Sequence, residues 1–281
     1  MNITRLSASD VANHLPARPV DAHKGDFGKI LLLCGSKGYT GAAALAAQGA
    51  LRCGAGLVYL AVPESIYAIE AIKLTEPIVL PMPDENGMLA ACASEQILKL
   101  ADNMDAVLIG PGLGQSENTF AVCRDVLMEY KGPVVLDADG INLLAAHKDI
   151  LRGRTAPTII TPHAGEFARL SALDDNRIGS ASELAKQLGC IVLLKGHETV
   201  ITDGKQCFIN STGNPGMAVG GSGDVLAGMI TALVGQGLAP IMAAACGAWL
   251  HGRAGDVCAS EIGQYGMLPT DMLRVLPRLL K

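Results

Sequence analysis

Short runs of apolar, often β-branched residues recur along the chain at 29–34, 57–62, 106–109, 133–136, 158–160 and 191–194, each followed within two residues by Gly, Asp or Pro. Runs without a polar alternate fit strands covered on both faces, which points to a mainly parallel sheet. Longer stretches of helical character lie between several of them, at 41–53, 116–130 and 180–188. Strands alternating with helices predict an α/β fold, a mainly parallel central sheet with helices on both faces. One stretch breaks the pattern. Thr199-Val200-Ile201-Thr202, then Asp203-Gly204, then 205–210 predicts an antiparallel hairpin at a sheet edge, closed by a two-residue turn. The segments 225–234 and 241–252 are apolar nearly all round, so they belong in an interior or at a subunit contact. No linker, repeat or low-complexity tract interrupts the chain, and residues 1–281 read as a single domain.

In open parallel sheets, ligands bind beyond the carboxyl ends of the strands. The residues that follow the predicted strands are Gly35-Ser36-Lys37-Gly38, Gly110-Pro111-Gly112-Leu113-Gly114, Asp137-Ala138-Asp139-Gly140, Thr161-Pro162-His163-Ala164-Gly165-Glu166 and Lys195-Gly196-His197-Glu198-Thr199. Most of the unusual polar chemistry therefore falls on one rim. The strongest single element is Gly213-Asn214-Pro215-Gly216-Met217-Ala218-Val219-Gly220-Gly221-Ser222-Gly223-Asp224. Its glycines let backbone amides converge on an anion, and a helix opening at Asp224 adds its positive end. Asp224 would then be a carboxylate beside a phosphate, placed to take a proton from a hydroxyl. The bland alternative makes Asp224 a helix cap and the glycines a tight turn.

Other positions leave two readings each. Lys195 contacts phosphate or is a surface lysine, and His163 orients a ligand or satisfies loop carbonyls. Asp137 and Asp139 hold a magnesium through water or cap the next helix. Gly110 to Gly114 lacks the G-x-G-x-x-G spacing, which argues against hydride transfer, and an ordinary P-loop motif is absent.

Composition narrows the class further. Net charge is −5, with no basic run to track a nucleic-acid backbone. No stretch reaches the roughly 18 apolar residues of a membrane span. The amino terminus lacks the apolar core of a secretion signal. Eight scattered cysteines without a C-x-x-C pair read as reduced thiols of a cytoplasmic protein, not as a disulfide or zinc framework.

Several motifs occur in a fixed order: Lys24-Gly25-Asp26-Phe27-Gly28-Lys29, Gly38-Tyr39-Thr40-Gly41-Ala42-Ala43, Gly54-Ala55-Gly56-Leu57-Val58, Gly110-Pro111-Gly112-Leu113-Gly114, Leu136-Asp137-Ala138-Asp139-Gly140, Thr161-Pro162-His163-Ala164-Gly165-Glu166, Leu194-Lys195-Gly196-His197-Glu198-Thr199 and the 213–224 loop. In this order they resemble the ADP/ATP-dependent NAD(P)H-hydrate dehydratases, a family of ribokinase-like fold, over roughly residues 20 to 270. The resemblance implies repair of NADHX and NADPHX, the hydrated reduced nicotinamide nucleotides. ADP or ATP phosphorylates the ring hydroxyl and phosphate then leaves, restoring the double bond. By resemblance Asp224 is the base, and the amides of Gly221, Ser222 and Gly223 hold the transferring phosphate. Lys195, Gly196, His197, Glu198, Thr199 and Gly223 contact the adenine nucleotide. Ala43, Gly112, His163 and Asp224 contact the hydrated cofactor. Magnesium is expected on the nucleotide, held mostly by phosphate oxygens and water. The resemblance also implies a homotetramer, with 41–50 as a candidate buried face. Many relatives carry an amino-terminal epimerase domain; this length leaves no room for one, so the expectation is a stand-alone form working with a separate epimerase.

Two other functions fit parts of the pattern. A kinase of the same fold acting on a vitamin-precursor alcohol would share the glycine turn and Asp224, but not the segments 24–29 and 161–166. A nucleotide-binding regulatory module would bind adenine nucleotide without consuming it, and has no use for Asp224.

Overall fold

All six apolar runs form strands of one sheet in the computed structural model, which describes residues 3–280. The first part of the chain runs β1 (Ile3–Thr4), α1 (Ala8–His14), β2 (Lys29–Leu33), α2 (Thr40–Arg52), β3 (Leu57–Pro63), α3 (Glu64–Lys73) and β4 (Ile78–Met82). A small hairpin follows, β5 (Asp84–Glu85) and β6 (Met88–Leu89), then α4 (Ser94–Ala101), β7 (Ala106–Ile109), α5 (Glu117–Glu129) and β8 (Val134–Leu136). Next come α6 (Asp139–Leu144), α7 (Asp149–Arg152), β9 (Thr158–Ile160), α8 (Ala164–Leu170), α9 (Arg177–Leu188), β10 (Ile191–Leu194), β11 (Thr199–Thr202) and β12 (Cys207–Asn210). Three helices complete the chain: α10 (Ser222–Gly235), α11 (Pro240–Glu261) and α12 (Pro269–Leu279).

The strand order is β1-β12-β11-β10-β9-β8-β7-β2-β3-β4, parallel except where β11 pairs with β10 and β12. Alternate residues of each strand enter different cores, the reason both faces of the runs are apolar. Ile30 and Leu32 pack with α2, α10 and α11, whereas Leu31 and Leu33 pack with α4, α5, α8 and α9. This is the expected fold, with the hairpin near one end of the sheet and the two-residue β1 added outside it.

The hairpin turn differs from expectation. Thr202 pairs with Cys207, so the loop is four residues long, 203–206. Asp203 accepts bonds from the amides of Lys205 and Gln206 through Oδ1, which widens the turn that Asp203-Gly204 alone would have closed.

The apolar helix α10 lies in the interior, against α2, α11 and the sheet. Small residues permit the approach: a methyl on Gly49 would sit 2.5 Å from the Val225 carbonyl oxygen, and one on Gly228 would overlap the Ala46 carbonyl. The small-residue face of 41–50 is therefore buried within the same chain, against α10. No helix among the described residues is long and apolar enough to cross a membrane. All eight cysteines are free, and seven of them are buried.

Candidate active site

The sheet order places the rim loops in a line: 195–199 after β10, 161–163 after β9, 137–139 after β8, 110–114 after β7 and 35–39 after β2. The amino terminus of α10 stands opposite the middle of that line. A methyl built on Gly223 would lie 3.4 Å from Lys195 Nζ and 3.8 Å from Asp137 Oδ2.

Gly221 is the cap of α10 and has φ +95°, a left-handed conformation that an L side chain strains to adopt. The helix therefore begins at Ser222, and Asp224 lies in its first turn instead of capping it. This removes the reading of Asp224 as a cap. The Ser222 amide reaches back to the Val219 carbonyl at 3.3 Å, so among the described residues the amides left without a backbone acceptor here include Gly223 and Asp224. Of the expected Gly221–Ser222–Gly223 set, the Ser222 amide is engaged with a backbone carbonyl, and Asp224 adds an amide beyond the set. Such amides at a helix start bind oxyanions.

Asp224 is mostly buried, and its pKa is pushed up from 3.8 to about 6. Burial is the largest cause; the charge of Asp137 adds to it, Lys195 opposes it, and Asp139 contributes a little more. That puts a carboxylate in the range useful for proton transfer near neutrality.

Lys195 is not a free phosphate ligand. Its Nζ donates to Asp137 Oδ1 at 2.7 Å and lies 3.8 Å from Glu166 Oε2. Burial pulls the ammonium's pKa down, but Asp137, Glu166 and Asp224 outweigh burial and hold it above its usual value. Thr161 Oγ1 also donates to Asp137 Oδ1 at 2.7 Å. Neither aspartate of the Asp137-Ala138-Asp139 segment caps α6, whose cap is Ala138 with φ +49°. Asp139 instead accepts the Gly114 amide at 2.9 Å through Oδ2 and the Gln115 side-chain amide at 2.7 Å through Oδ1.

His163 caps α8. Its Nδ1 accepts from the amides of Gly165 and Glu166, so it satisfies loop amides and not the expected carbonyls. That bonding assigns the proton to Nε2, which lies 3.3 Å from Glu166 Oε1. About half of the ring remains exposed.

A cleft of about 890 Å³ opens on one side of this turn. His163, Lys195, Gly196, His197, Glu198, Thr199, Ser222 and Gly223 all line it. Gly112 is not part of that lining; a methyl on it would meet the Cβ atoms of Ala42 and Tyr39 at 2.8 Å. Ala43 is fully buried beneath Gly35, so its side chain presents no surface to a ligand; the resemblance assigned it a contact that this position cannot make through its methyl group.

Several supporting residues carry no local sequence signal. Arg177, at the start of α9, donates to the carbonyls of Leu194, Lys195 and His197 and so braces the 195–199 loop. Arg5 holds that loop from outside through Glu198 at 2.7 Å. Asp256 on α11 accepts the Gly213 amide and the Asn214 side chain, tying the long glycine loop to the core. His251 is buried in the cleft wall with Nε2 3.5 Å from Ser222 Oγ; burial above all lowers its pKa to about 4, so it is neutral at neutral pH.

The parallel sheet, the glycine amide turn and the carboxylate in the following helix together define a ribokinase-like protein. The family profile described as NAD(P)H-hydrate dehydratase matches residues 30–278. The bifunctional NAD(P)H-hydrate repair enzyme of Moorella thermoacetica is 43% identical over 284 residues, covering 98% of this chain and 53% of that protein. The ADP/ATP-dependent NAD(P)H-hydrate dehydratase of Bacillus subtilis, crystallised with ATP and magnesium, is 31% identical with a TM-score of 0.84, covering 99% of this chain and 98% of that one. A ribokinase-like superfamily protein of Enterococcus faecalis has a TM-score of 0.88 at 28% identity, covering 99% and 95%. The chain belongs to the NAD(P)H-hydrate dehydratase family. It spans about half the length of the curated relatives it matches.

Proposed function

We propose that this chain uses ADP or ATP to dehydrate the S-epimers of NADHX and NADPHX, returning the reduced nicotinamide nucleotides. The observation that carries this reading is the cleft lined by the 195–199 loop, Ser222 and Gly223, with Asp224 next in α10 and its carboxyl pKa raised to about 6. The cleft suits the nucleotide, with Lys195, Gly196, His197, Glu198 and Thr199 along its wall and its phosphates toward Gly223. The hydrated ring lies on the Gly112 side, with the exposed edge of His163 at the boundary.

Asp224 takes the proton of the ring hydroxyl as its oxygen attacks the donor's terminal phosphorus. The new O–P bond forms as the bond to the departing nucleotide breaks. The free amides of α10 and the Lys195 ammonium stabilise the charge on the phosphoryl oxygens without having to reorganise. Phosphate, a far better leaving group than hydroxide, then departs from the ring carbon. Magnesium fits the donor set as a cation carried on the phosphates, where it would neutralise their charge. Asp137 Oδ2, which takes neither the Lys195 nor the Thr161 bond and lies near Gly223, would be the protein oxygen to face it.

The test is to incubate the purified chain with NADHX and either nucleotide and to follow the return of reduced-nicotinamide absorbance. Recovery that depends on nucleotide is the expected result. No recovery, alongside phosphorylation of a vitamin-precursor alcohol, would reassign the chain as a kinase. Binding without consumption would make it a regulatory module.

Arg177→Met removes the brace on the 195–199 loop while leaving Asp224 in place. It should raise KM for the nucleotide about tenfold, the scale of one or two charge-assisted bonds, with KM for NADHX unchanged. An equal rise in both constants would contradict the division of the site.

Cytoplasmic residence is part of the same reading, supported by the buried, unpaired thiols. So are a homotetrameric assembly and work alongside an NAD(P)HX epimerase. The exposed Ile69 and Ile72 of α3 and Ile78 of β4 offer an apolar face for subunit contact, which sedimentation would test.

A further inference from the structure

The middle amide of the glycine turn is engaged. Ser222 N–H donates to the Val219 carbonyl at 3.3 Å, so the free amides at the start of α10 include Gly223 and Asp224 but not Ser222. The charge of a transferring phosphoryl group is spread over three oxygens, each of which gains from a fixed donor. Ser222 has a second donor to offer. It lines the nucleotide cleft beside Gly223, and its side chain carries a hydroxyl.

A hydroxyl helps an anion only when its proton points there, and something must hold it so. Ser222 Oγ lies 3.5 Å from Nε2 of His251. His251 comes from the middle of α11, is 6% exposed, and lines the same cleft as Ser222. The other buried residues of α11 are small or apolar, so an imidazole at this position carries a desolvation cost that alanine or leucine would not. Among the described residues, the hydrogen bonds that offset this cost run to Ser222, at its hydroxyl and at its backbone.

The direction of that bonding decides what the hydroxyl can do. Burial first, with a smaller push from the Lys195 charge, keeps the ring neutral at neutral pH, so it carries one N–H. Its bond to the Ser222 backbone favours the protonated ring, which is the sense of a donated bond, so the N–H faces Ser222. With the ring donating, Ser222 Oγ is the acceptor of the pair. A serine hydroxyl has two lone pairs and one proton, and the proton is left for the cleft.

On these grounds we infer that His251 is a positioning residue for phosphoryl transfer, holding the Ser222 hydroxyl with its proton aimed at the transferring group in place of the engaged amide. This rests on the dehydratase reading above. Ser222 touches the phosphoryl oxygens, and His251 acts only through it. No proton changes hands in this pair, and Asp224 keeps the role of base. The hydroxyl bond strengthens as charge builds on the phosphoryl oxygens, so its effect falls on kcat more than on nucleotide affinity.

A double-variant cycle tests the pair, with NADHX as substrate and ADP or ATP as donor. Ser222→Ala removes the hydroxyl and should lower kcat about 100-fold, the low end for one fixed oxyanion donor, with nucleotide Kd by calorimetry changed less than about threefold. His251→Met keeps the bulk of the ring without its N–H and should lower kcat about tenfold, the scale of one neutral hydrogen bond. His251→Gln returns an N–H close to the position of Nε2 and should recover part of that loss, which packing alone would not do. In the Ser222→Ala background, His251→Met should cost nothing further, because the group it positions is gone. Additive losses, or nucleotide affinity falling in step with kcat in both single variants, would overturn the inference and leave His251 a brace between α10 and α11. Wild-type kcat in Ser222→Ala would overturn it too, and that variant decides the matter if His251→Met folds poorly. Absence of nucleotide-dependent NADH formation in the wild type is a failure of the dehydratase reading itself, and the cycle is then read on phosphorylation of the vitamin-precursor alcohol.

Discussion

Asp224→Asn abolishes turnover by two to four orders of magnitude, still binds adenine nucleotide, and melts at a higher temperature than the wild type at neutral pH. The first effect follows from removing the acceptor of the hydroxyl proton, for which roughly 10²- to 10⁴-fold is usual. The second follows because the cleft wall is built from the 195–199 loop and Gly223, which the substitution does not touch. The third effect follows from linkage. The fold raises the Asp224 pKa from 3.8 to about 6, so it favours the protonated form over the ionised one. The stability this confers is fully present below the ordinary carboxylate pKa and is lost as pH rises through about 6. Above that point the ionised carboxylate costs the fold up to about 3 kcal/mol, at about 1.36 kcal/mol for each tenfold change in proton affinity. Asparagine never ionises and avoids the cost. Thermal melts of the two proteins should converge near pH 4 and separate by pH 8. Parallel melting curves, or activity near that of the wild type, would remove Asp224 from the role of a buried base.

The same titration governs the wild-type rate. The base must be ionised, so kcat/KM should climb as pH rises through about 6. Bound phosphate adds negative charge beside the carboxylate, and kcat should therefore show the same limb at a higher pH.

The buried parallel strands were legible because continuous apolar runs have few other places to go. Strand β4 was not. Its sequence, Ile78-Val79-Leu80-Pro81-Met82, contains a proline and lies at the sheet edge, where the pattern is partly exposed and weak. The β5–β6 hairpin was readable in principle from its Asn86-Gly87 turn, both residues having positive φ, but strands of two residues carry no periodicity. The rim was legible as a set of loops, since sequence order and the strand-end rule fix which end they occupy. The pairing of Lys195 with Asp137 was not, because 58 residues separate them and only the adjacency of β8, β9 and β10 brings them together. Arg177, His251 and Asp256 were missed for a related reason. Each acts on a loop distant in sequence, and each sits in a helix whose local pattern reads as ordinary.

Lys195→Met is expected to be the most destabilising conservative-sized change in the site, and to lose nucleotide binding as well. The ammonium is the counter-charge for Asp137 and Glu166, which are 1% and 4% exposed. Its own pKa is held above the usual value, a contribution to stability that is present below the ordinary lysine pKa and is lost as pH rises through the raised one. Removing one partner of such a pair leaves buried charge uncompensated, typically a cost of about 3–5 kcal/mol. Asp224 responds too. Lys195 is the one charge that lowers its pKa, so in the variant that pKa rises beyond about 6 and the activity limb moves to higher pH. A double variant separates structure from binding. Lys195→Met with Asp137→Asn removes the stranded carboxylate and should recover much of the lost stability in thermal melts. It restores nothing that faces the phosphates, so nucleotide affinity should stay low by calorimetry. Recovery of affinity together with stability would mean that Lys195 acts on the nucleotide only by holding the rim in shape.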